Sequence, residues 1–200
     1  MKTVLVNEPK NKRPSIHLQV MRVEPSVWEN LGFSKIHYLT SSLNKAGKCF
    51  LFTWNDVPVG FICLLNSPRK GNPYGHNISR VCVLSDFQGM GISSQIINFC
   101  GGILKANGDE WYLYLKTIHD KMGSYLERSE KWEPTSYNGK LREKETITAE
   151  GKKYKNRLAR RSYCFKYVGE PIFGYEELLK PISELREKRF DKLQLDLFPT

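Results

Sequence analysis

The residues with the clearest chemical potential lie in one short run, Gln88-Gly89-Met90-Gly91-Ile92-Ser93, placed between an apolar strand-like stretch and a helical one. A strand that ends in glycines and feeds a helix aims several unpaired backbone N–H groups at one point. The helix dipole adds positive potential there, so the natural ligand is a phosphate. Gly89 and Gly91 carry no side chain to obstruct a close backbone approach. An ordinary strand-to-helix turn has the same glycines. A second group of candidates lies upstream, in His37-Tyr38, with Arg80 on the strand before the glycine turn. A histidine that titrates near neutrality can take or give a proton during nucleophilic attack, and a tyrosine can hydrogen-bond or stack on a planar substrate. Arg80 can pair with an acidic substrate or a phosphate. Each has a structural alternative: a core or capping histidine, a packed tyrosine, an arginine that bridges strands.

The elements that must position these groups follow from periodicity and turn residues. Ile16 to Val23 alternates apolar and polar as a strand does, and Pro25-Ser26 opens a helical region carrying Trp28, Leu31 and Phe33. Cys49–Trp54 and Val57–Leu65 read as two strands joined by an Asn55-Asp56 hairpin turn. After the loop from Ser67 to Gly75 come the strand ending at Leu84, the glycine turn, and a helix from Ile92 that stops near Asn107-Gly108. Glu110–Lys116 is a strand, His119–Arg128 a helix, and Pro134–Lys153 a long polar connection. Arg161–Val168 is a last strand, and Tyr175–Arg189 is helical with an interruption at Pro181.

Composition bounds the class. Two hundred residues suit one domain with a decorated end. No apolar run approaches the roughly 20 residues of a membrane helix, and Met1 to Pro14 lacks a signal-peptide core, so no membrane partner is expected. Five widely spaced cysteines, with no CxxC and no Cys/His cluster, read as buried free thiols of a reducing compartment. The expected location is the cytoplasm, and no metal is expected. The net charge of +10 is uneven: from Lys140 to Lys166 ten cations face three acids, with Tyr137, Tyr154, Tyr163 and Phe165 interleaved. Basic and aromatic residues together suit a nucleic-acid backbone with stackable bases, and Lys152, Lys153, Lys155, Arg157, Arg160 and Arg161 are the candidate contacts. A solvated basic loop is the alternative.

The string from Gln88 to Ser93 resembles the acyl-CoA pyrophosphate loop of the GNAT acetyltransferase superfamily, Gln/Arg-x-x-Gly-x-Gly/Ala. Gln88, Gly91 and Ser93 fill its marked positions, Ser93 departing from the usual Gly or Ala. The resemblance runs from about Ile16 to Gly169 and implies an α/β (α+β) GNAT fold. In it a mixed central sheet, splayed at the cofactor site, is flanked by helices. The expected organisation is a flexible segment 1–14, a GNAT-like domain 15–169 with a basic loop 134–160, and a C-terminal helical extension 170–200.

The resemblance further implies acetyl-CoA or another acyl-CoA as donor and an amine as acceptor. Backbone of Val81, Val83 and Leu84 would meet the pantetheine arm, and the amides of Gln88, Gly89, Met90, Gly91, Ile92 and Ser93 the pyrophosphate. Tyr125 is the candidate acid for the departing thiolate, with a packed core tyrosine as the alternative. His119 and Asp120 fall on the cleft side, His119 as a catalytic and Asp120 as a substrate candidate. The string Lys35 to Lys45, with His37-Tyr38-Leu39 and Leu43-Asn44, looks like a phage and mobile-element branch that includes domains attached to ABC-type ATPases. It also resembles the Mom-type proteins that modify adenine in DNA, where the His-Tyr pair and a central-strand arginine would fall on His37, Tyr38 and Arg80. Three functions stay open: amine acetylation, base modification, and a degenerate binding module favoured only by Ser93. The acceptor is undetermined, and monomer and homodimer are both compatible.

Overall fold

The computed structural model describes residues 2–6, 16–37, 42–68, 72–140, 145–147, 153–155 and 162–185. In chain order its strands are β1 (Lys2–Val6), β2 (Ile16–Val23), β3 (Lys48–Trp54), β4 (Val57–Asn66), β5 (Gly75–Val83), β6 (Tyr112–Thr117), β7 (Trp132–Pro134), β8 (Glu145–Ile147), β9 (Lys153–Lys155) and β10 (Tyr163–Tyr167). The helices are α1 (Val27–Asn30), α2 (Phe33–Ile36), α3 (Ile92–Lys105), α4 (Asp120–Arg128) and α5 (Ile182–Leu185). One sheet of eight strands runs in the order β1-β2-β3-β4-β5-β6-β10-β7, and β8 and β9 form a separate two-stranded pair. Every pairing in the large sheet is antiparallel except β5 with β6.

The alternating and apolar runs form these strands because each buries one or both faces. Leu18, Val20, Phe50, Phe52, Ile62, Leu64, Leu113 and Leu115 build a cluster against one face of α3, where Ile92, Ile96, Ile97, Phe99, Ile103 and Leu104 are buried. Each such side chain contributes about 1.5–3 kcal/mol on leaving water. The helix lies close on the sheet because it carries Gly101 and Gly102 over Tyr167 and Ile172, where any Cβ would collide. On the opposite face a second cluster joins α1 and α2 to the sheet through Trp28, Phe33, Cys49, Leu51, Phe61 and Cys63.

Asn55 and Asp56 have φ of 49° and 64°, so the expected hairpin is a two-residue turn with both central residues left-handed. Three segments differ from the sequence reading. Lys2–Val6, expected to be flexible, pairs in register with Ile16–Val20, where β2 offers it a sheet edge. The polar connection from Pro134 contains β8 and β9, and Trp132 anchors the short β7 beside β10. The C-terminal helical region is a 3-10 turn (Glu176–Leu179) followed by α5, because Pro181 denies α5 a continuous ladder with the turn before it. Its stretch from 186 onward lies outside the described residues.

All five cysteines are free, four buried and Cys82 half-buried, as expected. Burial pushes the Cys82 thiol up to about 11, so it carries no thiolate at neutral pH. Among the described residues no helix is long and apolar enough to cross a membrane, and no His/Cys/Asp/Glu group could hold a metal.

One polar cluster sits at the start of β5, away from the glycine turn. His76, 3% exposed, stacks on Trp111 and is 3.0 Å from the Tyr74 carbonyl through Nδ1 and 3.1 Å from Lys48 Nζ through Nε2. A carbonyl only accepts, so Nδ1 carries the proton and Nε2 accepts from Lys48. Burial, then the Lys48 charge, push His76 down to about 4. The unfolded chain therefore binds a proton below pH 6.5 that the folded chain refuses until about pH 4. The contribution of neutral His76 is complete above pH 6.5 and is lost as pH falls toward 4, a change of about 2–3 kcal/mol for this group. Urea unfolding at pH 7.5 and pH 5 should show that loss, and His76→Phe should flatten the difference; a pH-independent midpoint in the wild type would contradict it.

Candidate active site

The geometry of the site begins where two strands part. β5 and β6 pair only through Gly75–Asn77 and Tyr112–Tyr114, although β5 continues to Val83 and β6 to Thr117. Beyond Asn77 the neighbours separate and leave a gap. The Leu84 N–H bonds to the Val59 carbonyl at 2.9 Å, on the β4 side. Backbone groups alternate sides along a strand, so Val81 and Val83 turn theirs toward the gap. Of the three strand residues expected to offer backbone, Val81 and Val83 are oriented to do so, while the Leu84 amide is engaged by β4.

The glycine turn closes the same end of the gap. Gly89 and Gly91 have φ of 81° and 82°, and a Cβ at Gly89 would meet open space. Gly91 is the residue before α3 and supplies no side-chain cap, and the first helical bond runs from Gln95 N–H to its carbonyl at 3.3 Å. The N–H groups of Ile92, Ser93 and Ser94 therefore find no acceptor among the described residues. Gln88 fastens the turn by donating Nε2–H to the Val83 carbonyl at 3.0 Å. Ile92 is buried in the core, Met90 packs against it, and Ser93 is half-buried. Ser94, not Ser93, bonds the Gly91 carbonyl, at 2.7 Å. This concave set of donors, with side chains removed at two positions, fits a diphosphate, and the strand amides in the gap fit an amide-bearing arm leading away from it.

The other candidates fall into two groups. His37 ends α2, edge-on to Trp28 at 5.4 Å, and Arg80 is near enough to act on it electrostatically. A bulge brings this about: Cys63 pairs with Arg80 and Leu64 with Ile78, so Ser79 is an extra residue that turns Arg80 onto the α1/α2 face. Arg80 donates Nη1–H to the Ser79 carbonyl at 2.8 Å and Nη2–H to the Ser42 carbonyl at 3.4 Å. Burial, then Arg80, push His37 down to about 4, so the ring is neutral at physiological pH. Such a ring is a hydrogen-bond partner and a feeble base. Tyr38 lies outside the described residues.

Tyr125, His119 and Asp120 form the second group, on α4. The Tyr125 hydroxyl accepts from Asn98 Nδ2 at 2.7 Å, and Asn98 Oδ1 accepts from Trp132 Nε1 at 2.8 Å, a chain that ties α3, α4 and β7 together. The Tyr125 hydroxyl keeps its own proton for donation. His119 is the residue before α4, where its exposed ring accepts from Met122 N–H at 3.4 Å. Asp120 is exposed, and Tyr163 donates to it at 3.5 Å.

The basic segment is described only in part. Lys153 and Lys155 belong to β9, while Lys152, Arg157, Arg160 and Arg161 lie outside the described residues.

Sequence reasoning passed over a pocket of about 330 Å³ at the mouth of the gap, lined by Asn77, Tyr114, Lys116, Thr135, Tyr137 and Cys164 among others. The signal was present in β6: Leu113 and Leu115 enter the core, so Tyr114 and Lys116 must face the other way.

The parted mixed sheet and the open N–H groups at the start of α3 agree with the acyl-CoA-binding architecture that the Gln88–Ser93 string resembles. The model of the acetyltransferase (GNAT) family matches residues 15–125, more than half the chain. The chain belongs to that family, and is an acetyltransferase of GNAT type with an acyl-CoA thioester as donor. Among solved structures it is similar to Naa50 of Arabidopsis thaliana in complex with the bisubstrate analogue CoA-Ac-MVNAL, at 16% identity, 76% of this chain, 99% of that chain and a TM-score of 0.53. The ribosomal-protein-S18-alanine N-acetyltransferase of Escherichia coli follows at 12%, 78%, 99% and 0.52. A spermidine N-acetyltransferase SpeG of Vibrio cholerae gives 12%, 82%, 96% and 0.51. At such identities these likenesses speak for the fold. No curated protein matches the chain in sequence.

Proposed function

We propose that the protein transfers an acetyl group from acetyl-CoA to an amine by direct attack, in the gap between β5 and β6. The observation that carries this is the coincidence of the parted strands with the open N–H groups at the start of α3. Ile92, Ser93, Ser94 and the Gln88–Gly91 turn would hold the diphosphate, and the Val81 and Val83 backbone the pantetheine arm. Bound acetyl-CoA supplies an activated acyl group: the amine's C–N bond forms, the C–S bond breaks, and the proton lost by the amine ends on the thiol. A backbone N–H from β5 aimed into the gap is suited to the developing oxyanion. Tyr125, whose hydroxyl proton is unspent, remains the candidate donor to sulfur. His37, neutral beside Arg80, would be a feeble base and is a candidate for contacting the acceptor rather than deprotonating it. His119 and Asp120 stand at the head of α4 as further acceptor-side candidates. The location in keeping with five free thiols is the cytoplasm, as a monomer or a homodimer.

A thermal-shift titration tests the reading. Ligand that binds only the folded state raises its stability as RT ln(1 + [L]/Kd), about 2.7 kcal/mol at a hundred times Kd. The melting temperature should climb steadily with acetyl-CoA; no rise up to millimolar ligand would count against it.

The finer alternative is a Mom-type base-modifying protein of phage or mobile-element origin, and the uneven charge is the observation in its favour: +7 of the +10 lies between Lys140 and Lys166. The comparisons with known proteins reach no such branch. On this reading a base would be flipped out or met in a single strand, and the basic segment would grip phosphates. Affinity for a single-stranded oligonucleotide should then fall steeply between 50 and 200 mM salt, on the order of tenfold or more for the few phosphates these lysines cover. Replacing Lys152, Lys153 and Lys155 together with Ala should weaken binding and flatten that slope; a variant that binds as the wild type does would remove the segment from consideration.

A further inference from the structure

We infer that the acceptor carries a negatively charged group next to a flat or apolar body, and that the pocket at the mouth of the β5–β6 gap receives it. The inference rests on the acetyl-transfer reading above and names the acceptor class for that site.

Three observations carry it. First, position: the pocket opens where β5–β6 pairing ends, at Asn77 and Tyr114, so a molecule in it sits beside the gap in which the acyl group would lie. It belongs to the α1/α2 face of the sheet, the face that Arg80 also joins through its bulge. Second, build: the turn after β7 is pinned as one wall. Thr135 N–H and Oγ1–H donate to the Cys164 carbonyl at 2.9 and 3.2 Å. Asn138 Oδ1 accepts from the Cys164 N–H at 2.9 Å, and Gly139 N–H donates to the Ser162 carbonyl at 3.0 Å. Tyr137 is presented from that wall and Tyr114 from the sheet, two aromatic rings suited to a planar or apolar body.

Third, charge. Among the described residues no Asp or Glu lines the pocket. Lys116 does, and it is exposed at the register position beside Cys164. Lys140 stands 5.1 Å from the Tyr137 ring centre, and Lys166 lies 3.7 Å over Tyr112, the next aromatic along β6 from Tyr114. Among the described strand residues, Glu133 stands opposite Lys166 in the β7–β10 register, and Asp120 accepts from Tyr163. A polyamine entering here would bring cation toward cation, whereas a carboxylate or phosphate would gain a partner.

Two amines that differ only in the charged group separate the cases: 4-(aminomethyl)benzoate and benzylamine, with spermidine as a third probe. Calorimetric titration is run on the protein alone and on protein saturated with CoA, and initial rates are read as thiol release from acetyl-CoA. The carboxylate amine should bind and react better than benzylamine by a factor of about ten, and the gap should shrink as salt screens the lysine. Lys116→Ala should bring the two amines within about twofold of each other, the larger loss falling on the carboxylate amine, and Lys116→Arg should keep the preference. Equal affinity for the two amines, no binding of the carboxylate amine, or a preference for spermidine would overturn the inference. Because amine binding is also read without CoA, and CoA binding is titrated by itself, loss of CoA affinity would instead count against the acetyl-transfer reading.

Discussion

Gly91→Val should abolish the stabilisation of the protein by acetyl-CoA while leaving the chain folded. Gly91 holds φ at 82° as the last residue before α3. A β-branched side chain is forced out of that region at a cost of about 1–3 kcal/mol. The strain can be relieved by rotating the turn, which swings the N–H groups of Ile92, Ser93 and Ser94 off their common focus and lays two methyl groups across it. Each 1.4 kcal/mol lost from binding is tenfold in affinity, so a loss of about a hundredfold is expected. The ligand-free variant should melt a few degrees lower and show native circular dichroism. A variant that still gains stability from acetyl-CoA as the wild type does would place the ligand elsewhere.

Trp28→Ala should cost about 3–5 kcal/mol of folding stability, a large share of the 5–15 kcal/mol typical of a domain. Trp28 is fully buried and holds the second cluster together: it stacks on Phe33 at 6.2 Å, meets Phe61 at 5.2 Å and bounds His37 at 5.4 Å. Its removal leaves a cavity between α1, α2 and the sheet and frees the His37 ring to reorient. Urea unfolding measures the first effect. The second would appear as a rise in the His37 pKa from about 4 toward 6.5, read from its ring proton shifts, because burial is the larger cause of the depression. A midpoint unchanged from the wild type would contradict the packing account, and Trp28→Phe should recover much of the loss.

What the sequence made legible was local. The Asn55-Asp56 hairpin, the α3 start at Ile92 and the α4 helix near His119 each follow from residues within a turn of one another. Each lies within a residue of the expected place, His119 itself being the N-cap. The departures involve pairing across distance. Lys2–Val6 becomes a strand only because β2 offers it an edge, and the bulge that reorients Arg80 is a property of the β4–β5 register, invisible in either strand alone. The site divides in the same way. The expected donors Gln88 to Ser93 are contiguous in the sequence, although the Gln88 amide is spent on the Ser85 carbonyl at 3.2 Å and Ser94, one residue further, adds an open N–H. The pocket joins β6, the turn after β7 and β10, brought together by the order in which β10 inserts between β6 and β7. Nothing in the spacing of Tyr114, Tyr137 and Cys164 announces that they meet.

The central claim is that the parted strands and the start of α3 together hold the acyl-CoA. Amide chemical shifts followed by 15N–1H correlation spectra during titration with acetyl-CoA test it at the groups concerned. The account predicts large, saturable shifts at Val81, Val83 and Gln88 through Ser94, with little change at His76 and Trp111 at the other end of the sheet. Saturable shifts clustered away from β5 and the glycine turn, or none at all with excess ligand, would contradict it.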